Sequence, residues 1–447
     1  MQDHPTRFIG RLAPVAIGAS LMVAGAIFAA ADRPPSLFGV DAPELAPLGA
    51  YSVGVRTLHL VQHAQVDVSA FDAVRGTAPE RDRALNVDLW YPARTGARAK
   101  RETYTAVLPG EPPAGPVRFS VAGIAVRDAR PAGSGYPLVV VSHGYSNAPA
   151  AMTWLTENLA SKGYVVAAIR HDDPPITDTA GFPQLLLRRP LDIAFVTKTL
   201  QSMLEAEHLV DPARTALVGY SMGGYGVLTA AGALLDPGGN AAKLVPGGLL
   251  LPYAAGGTLR ETVVVNGLRA VVAISPAGGG TLGAWNADGL RMIKAPLLLI
   301  SGSQDPMVDY KTGARAFFDA ATNSHRYLLT FVDAGHAIGL NPAPRAMRRH
   351  LWDQDWFEDA VWSKQRINAI NAHFMTAFLD LYLKGDDSRA AYLDVSVPDS
   401  AACVWPAASA SAYAAFSPGT PDVTVWKGFQ RNHSAGLELL QAPASGP

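Results

Sequence analysis

Three residues in this sequence have the types and the order needed for nucleophilic chemistry: a serine between glycines, an aspartate and a histidine. The serine is Ser221, in Gly219-Tyr220-Ser221-Met222-Gly223. An apolar run, 215–218, precedes it, and a small-residue segment, 223–231, follows and can start a helix. Strand, sharp turn and helix form the setting in which G-x-S-x-G exposes a reactive hydroxyl. The flanking glycines let neighbouring backbone pass without a Cβ clash, and a helix start directs N–H groups at a developing oxyanion. In a chain with 42 glycines the pattern also arises by chance, so its partners decide its meaning.

A serine nucleophile needs a base, and the base needs an orienting group. Asp305 follows the apolar run 296–301, and His336 follows the run 327–332, so both fall where strands end. Serine, acid, histidine is the chain order expected when all three sit on one edge of a parallel sheet. Taken singly, Asp305 reads equally well as a turn or helix-capping residue before a helix at 310–321, and His336 as a loop histidine. Asp309 is the nearest substitute for Asp305, whereas Asp333 is too near His336 in sequence to be first choice. His171 and Asp172-Asp173 follow another strand and are expected to line the cleft. His373 lies on an apolar helical stripe and reads as structural.

Two preorganised N–H donors would complete such a site. The backbone of Met222, next after the serine, is one. The other is assigned to Tyr145 in Ser142-His143-Gly144-Tyr145, with Gly144 in reserve and His143 shaping the loop. There is no H-E-x-x-H, no cysteine pair and no phosphate-binding glycine motif, so no metal or cofactor is implied.

The elements that must position these residues follow a simple order. The chain has 447 residues, 37 basic against 38 acidic, a balance that argues against nucleic acid as a partner. Segments 53–61 and 84–91 alternate as strands, with a hairpin or short excursion between them, and a further strand is possible at 118–126. From residue 136 short apolar runs at 137–142, 164–169, 215–218, 268–275, 296–301 and 327–332 alternate with helical patterns, among them 152–159 and 185–209. That alternation predicts a mostly parallel central sheet with helices on both faces. A Gly- and Pro-rich insertion at 234–267 reads either as a cap beside the site or as a surface excursion. An apolar stripe from Ile367 to Leu381, ended by Gly385, reads as core packing.

Residues 1–31 carry Arg7 and Arg11 before an uncharged run ending in Ala29-Ala30-Ala31. This reads as a signal peptide, with a single N-terminal membrane anchor as the alternative. Segment 32–50 reads as a linker, 51–387 as the main domain, and 388–447 as an Ala-, Ser- and Pro-rich extension. The single cysteine, Cys403, reads as a packing residue.

The sequences His143-Gly-Tyr145, Gly-Tyr-Ser221-Met-Gly-Gly, Gly-Ser-Gln-Asp305 and Gly-His336 resemble the α/β-hydrolase superfamily. The resemblance covers roughly 50–385 and is nearest the branch of dienelactone hydrolases, platelet-activating-factor acetylhydrolases and cutinase-type polyester hydrolases. It implies an α/β-hydrolase fold, a Ser221-His336-Asp305 triad, an oxyanion hole at Tyr145 and Met222, and an exported serine esterase acting on short-acyl or lipid-like esters. An acyltransferase would use the same residues, and an inactive fold kept as a binding protein is the other alternative. Ser221 stands where dienelactone hydrolases carry cysteine. The acid follows the later of the two strands after the serine, where the acetylhydrolases use the earlier. Cutinase-type enzymes carry a cleft tryptophan after the strand that follows the serine; here that place reads Ser275-Pro-Ala-Gly-Gly, with Trp285 further on.

Overall fold

Alternating apolar side chains on the first two long strands set the register of their pairing. β1 (Ser52–Val66) and β2 (Glu80–Arg94) run antiparallel from Ser52 opposite Ala93 to Val66 opposite Glu80. The computed structural model describes residues 38–111, 113, 115–405 and 423–445. The signal or anchor segment expected at 1–31 lies outside them. Among the described residues no helix is long and apolar enough to cross a membrane.

β3 (Thr103–Leu108) and β4 (Val117–Ala122) form a separate two-stranded sheet, and β5 (Val126–Arg127) and β6 (Arg130–Pro131) are short additions beside β1 and β2. The regular part then follows as β7 (Tyr136–Ser142), α1 (Thr153–Ser161), β8 (Val165–Arg170), α2 (Pro183–Ala206), β9 (Val210–Tyr220) and α3 (Met222–Ala230). It continues through α4 (Asn240–Leu244), β10 (Ala270–Ile274), α5 (Ala287–Arg291), β11 (Leu297–Gly302), α6 (Ala316–Ala320) and β12 (Arg326–Phe331). Last come α7 (Leu351–Asp355), α8 (Lys364–Leu379) and β13 (Leu437–Ala442).

The large sheet has the order β13-β12-β11-β10-β9-β7-β8-β2-β1-β5. β7 to β12 are parallel to their neighbours, while β2 pairs antiparallel with β8 and β13 with β12. Successive strand residues point to opposite faces. Val139, Val141, Val218 and Ile274 therefore pack under α1 and α8, against Leu155, Phe374 and Phe378. Val140, Leu217, Val271 and Leu299 pack under α2 and α3, against Leu186, Ile193 and Tyr225.

Three expectations need correction. Segment 38–50 is docked, not a free linker: Asn158 Nδ2 donates to the Ala46 carbonyl at 2.9 Å, Lys162 Nζ to the Leu45 carbonyl at 2.6 Å, and Leu45 N–H to His373 Nδ1 at 3.1 Å. Those partners lie on α1, just past its end, and on α8. The extension from 388 is not separate from the domain either, because β13 supplies an edge strand with Leu437 and Leu439 fully buried. The helix expected at 310–321 is only regular from Ala316 to Ala320, since Gly313 leaves helical geometry (φ −103°, ψ −113°).

The insertion at 234–267 is packed and does not hang over solvent. Leu250, Tyr253, Ala254 and Val263 to Val265 are buried in the α2/α3 layer. Its near end is tied to the glycine-rich segment after β10 by Asp236 N–H to the Ala284 carbonyl (2.8 Å) and Asn240 Nδ2 to the Thr281 carbonyl (2.9 Å).

Candidate active site

Ser221 sits at the turn between β9 and α3 with φ 54° and ψ −116°, a conformation that costs a non-glycine residue on the order of 1–3 kcal/mol. The surroundings enforce it. Ser221 N–H donates to the Ile274 carbonyl at 2.9 Å and its carbonyl accepts from Ala277 N–H at 3.0 Å, so the exit of β10 holds the turn from both sides. The glycines are steric necessities: a Cβ on Gly219 would lie 2.2 Å from the Gly223 carbonyl oxygen, and one on Gly223 would lie 2.0 Å from that of Ser142.

His336 and Asp305 reach this serine from the ends of β12 and β11. His336 Nε2 is 3.0 Å from Ser221 Oγ, and His336 Nδ1 is 2.7 Å from Asp305 Oδ2. The other oxygen of Asp305 accepts the N–H groups of Met307 (2.9 Å) and Val308 (3.1 Å). One oxygen of Asp305 thus caps the turn and the other meets the ring nitrogen of His336. Burial pushes its carboxyl up, but the histidine and the two amides outweigh burial and hold it below the ordinary value. Asp309 is exposed and bonds Thr312, and the exposed Asp333 receives no hydrogen bond from His336.

The histidine loop is held at every carbonyl from 336 to 340. Tyr220 Oη donates to His336 O (3.2 Å), Lys364 Nζ to Ala337 O, Asn371 Nδ2 to Ile338 O (2.9 Å), Trp154 Nε1 to Gly339 O (2.9 Å) and Asn368 Nδ2 to Leu340 O (3.1 Å). Sequence reasoning missed the three α8 residues because it read that helix as an apolar stripe. The available signal was the spacing 364, 368, 371, which puts an amine and two amides on one helix face.

At the other side of Ser221, Met222 is the first residue of α3, and Gly144 lies so close that an added Cβ would come 3.3 Å from the Ser221 Cβ. The Tyr145 hydroxyl turns away to the carbonyls of Pro175 (3.1 Å) and Asp178 (3.3 Å), and its ring rests near Phe182. His143 is buried and its Nδ1–H donates to the Gly144 carbonyl at 2.7 Å; burial first, then the charge of Arg189, pushes its pKa down to about 4. His171 does not line the cleft as expected. It is buried between Ser142 Oγ (2.8 Å) and Asp192 (2.8 Å), and Arg83 closes on that aspartate at 2.6 and 2.8 Å. His373 is structural, as its helical setting predicts. Trp285 is buried, stacked on Tyr225 at 5.3 Å and edge-on to Phe317, with Gly278 pressed against its ring.

A mostly parallel sheet with antiparallel strands at its edges, a strained serine after its central strand, and an aspartate and a histidine after its last two parallel strands define the α/β-hydrolase fold. A PET hydrolase-like family profile matches residues 125–236, the stretch from β5 through Ser221 to the start of the insertion. The chain is 25% identical over 190 residues to cutinase 2 of Thermobifida cellulosilytica, covering 42% of this chain and 55% of that one. It has the same identity to cutinase cut1 of Thermobifida fusca, covering 42% and 46%. It thus spans about half the length of the curated relatives it matches. A solved ferulic acid esterase from Streptomyces cinnamoneus superposes with TM-score 0.49 at 25% identity, over 75% of this chain and 91% of that one. The resemblance read from the motifs is borne out on its cutinase-type side.

Proposed function

We propose that this chain is a serine hydrolase of carboxylic esters. The observation that carries the reading is the unbroken hydrogen-bonded series Ser221 Oγ, His336 and Asp305, at 3.0 and 2.7 Å. His336 Nε2 takes the Ser221 proton as Oγ attacks the ester carbonyl, and Asp305 keeps Nδ1 protonated and the ring in place. The amides of Met222 and Tyr145 hold the tetrahedral oxyanion. His336 then gives its proton to the leaving alcohol, and water, activated by the same nitrogen, releases the acyl group and restores the serine. The relatives are named as cutinases and the matching family profile as PET hydrolase-like, so polymeric esters join short-acyl and lipid-like esters as candidate substrates. The basic and apolar character of 1–31 supports export or anchoring at a membrane.

The test is hydrolysis of p-nitrophenyl acetate, butyrate and octanoate by the chain and by Ser221→Ala. Losing a working nucleophile lowers kcat on the order of 10⁶-fold. Stoichiometric labelling of the parent by a fluorophosphonate, and none of the variant, is the companion result. Equal turnover by both proteins would remove Ser221 from the chemistry.

A further inference from the structure

Arg189, on α2, is buried directly behind the loop that follows β7. Its Nη1 donates to the His143 carbonyl and, at 3.3 Å, to Ser142 Oγ, while its Nη2 donates to the Gly144 carbonyl at 3.2 Å. Its charge is met by Asp173, whose carboxylate is also buried. The oxygen of Asp173 that pairs with Arg189 accepts the Ser146 N–H as well, at 3.0 Å. The loop is thus pinned on both sides of a single peptide unit, the one joining Gly144 to Tyr145.

A trans peptide is planar, and its C=O and N–H point in opposite directions. With the Gly144 carbonyl turned inward onto Arg189, the Tyr145 N–H faces the other way, and Gly144 itself lies against Ser221. Tyr145 N–H has no acceptor among the described residues, whereas its neighbour at Ser146 is taken. The frame behind this is rigid. Pro190 lacks the N–H that would bond the Leu186 carbonyl, and Tyr225 Oη of α3 donates to that carbonyl at 2.7 Å, locking α2 to the helix that Ser221 begins. Gly226 permits the close approach, for a Cβ there would sit 2.5 Å from Ile193 Cδ1 and 3.3 Å from Arg189 Cβ.

We propose that Arg189 is the positioning residue of the oxyanion hole, fixing the Gly144-Tyr145 peptide so that the Tyr145 N–H is aimed at the oxyanion before substrate arrives. The proposal rests on the reading of Ser221 and Tyr145 given above. A guanidinium suits the task because two carbonyls and a carboxylate in different directions need a fork of donors, which an ammonium lacks.

Two variants of the whole chain test it. Arg189→Lys keeps a cation beside Asp173 and removes the fork. Arg189→Met combined with Asp173→Asn removes the pair together, so that no buried carboxylate is left alone. Each is assayed on p-nitrophenyl butyrate, with an alkylboronic acid as a probe of the tetrahedral state and urea unfolding as a control. Losing one oxyanion donor lowers kcat by about 10²-fold, so both variants should fall by that order with KM nearly unchanged. Boronate affinity should fall by the same factor as kcat, and urea midpoints should not track the loss. Unchanged kcat and boronate affinity in Arg189→Lys, which alone decides should the double variant not fold, would overturn the proposal. So would a rate loss that follows only the unfolded fraction. If Ser221→Ala is as active as the parent, the reading of the site has failed instead, and the two failures are told apart.

Discussion

Asp305 uses its two oxygens for different purposes, one on the turn amides of Met307 and Val308 and one on His336. An asparagine there can keep the turn but cannot hold Nδ1–H by charge. Asp305→Asn is therefore expected to lower kcat by about 10⁴-fold with a small loss of stability. The carboxyl is held below its ordinary value of 3.8, so its contribution to stability is complete above that value and disappears as pH falls through the folded pKa. Urea midpoints should show parent and variant converging in acid and separating at neutral pH; a constant gap would contradict this. At this scale the proposed triad was legible because serine, acid and histidine each follow an apolar run in the order that brings them together. Arg189 was not legible, and Asp173 was expected in the cleft when it is buried on Arg189, since a buried charge has no sequence period and its partners lie on other elements. Trp285, the tryptophan read as displaced from the cutinase-type cleft position, packs in the core against Tyr225 and Phe317, because Gly278 leaves room for its ring.

Elements act on the site through their polar faces as much as their apolar ones. α8 carries the predicted stripe into the core, and three polar side chains of the same helix hold the histidine loop. α1 has the corresponding role for segment 38–50. Lys162, just past its end, gives its three protons to the Leu45 carbonyl, Asn158 Oδ1 and Thr376 Oγ1. Burial pushes its pKa down to about 7, against the opposing pull of Asp380. The unfolded chain, with an ordinary lysine near 10.5, then binds a proton that the folded chain releases between about 7 and 10.5. Stability should rise with pH across that window, and Lys162→Met should flatten the slope. Urea midpoints at pH 6.5 and 9.5 check it, and parallel slopes in the two proteins would contradict it. A Pro- and Ala-rich segment reads as a linker because its composition has no period. What seats it is a set of hydrogen bonds to residues distant in sequence.

For the molecule as a whole, the parallel strands were legible as apolar runs, since burial on both faces leaves no polar alternation to blur them. β13 was not, because a lone six-residue strand behind a Ser/Ala/Pro-rich stretch is defined only by pairing with β12. Its weight in the fold is measurable. Leu439 is fully buried, and Leu439→Ala should cost roughly 2–5 kcal/mol in urea unfolding. Ending the chain before Leu437 should leave β12 with an open edge and give dimers or larger species by light scattering, where the intact chain gives none of these through that edge.

The pairing of β12 with β13 also sets a timetable. During synthesis every parallel strand, and the proposed triad with them, has been made well before the edge strand at Leu437–Ala442. The contact of Glu44 N–H with the Gly428 carbonyl joins residues still further apart in sequence. Joining such distant segments is slow, because the loops between them must first be closed. A nascent chain therefore passes through a period in which its proposed catalytic groups are all present while β12 still lacks its partner, and it is during that interval, not in the finished protein, that it most needs protection from its own copies.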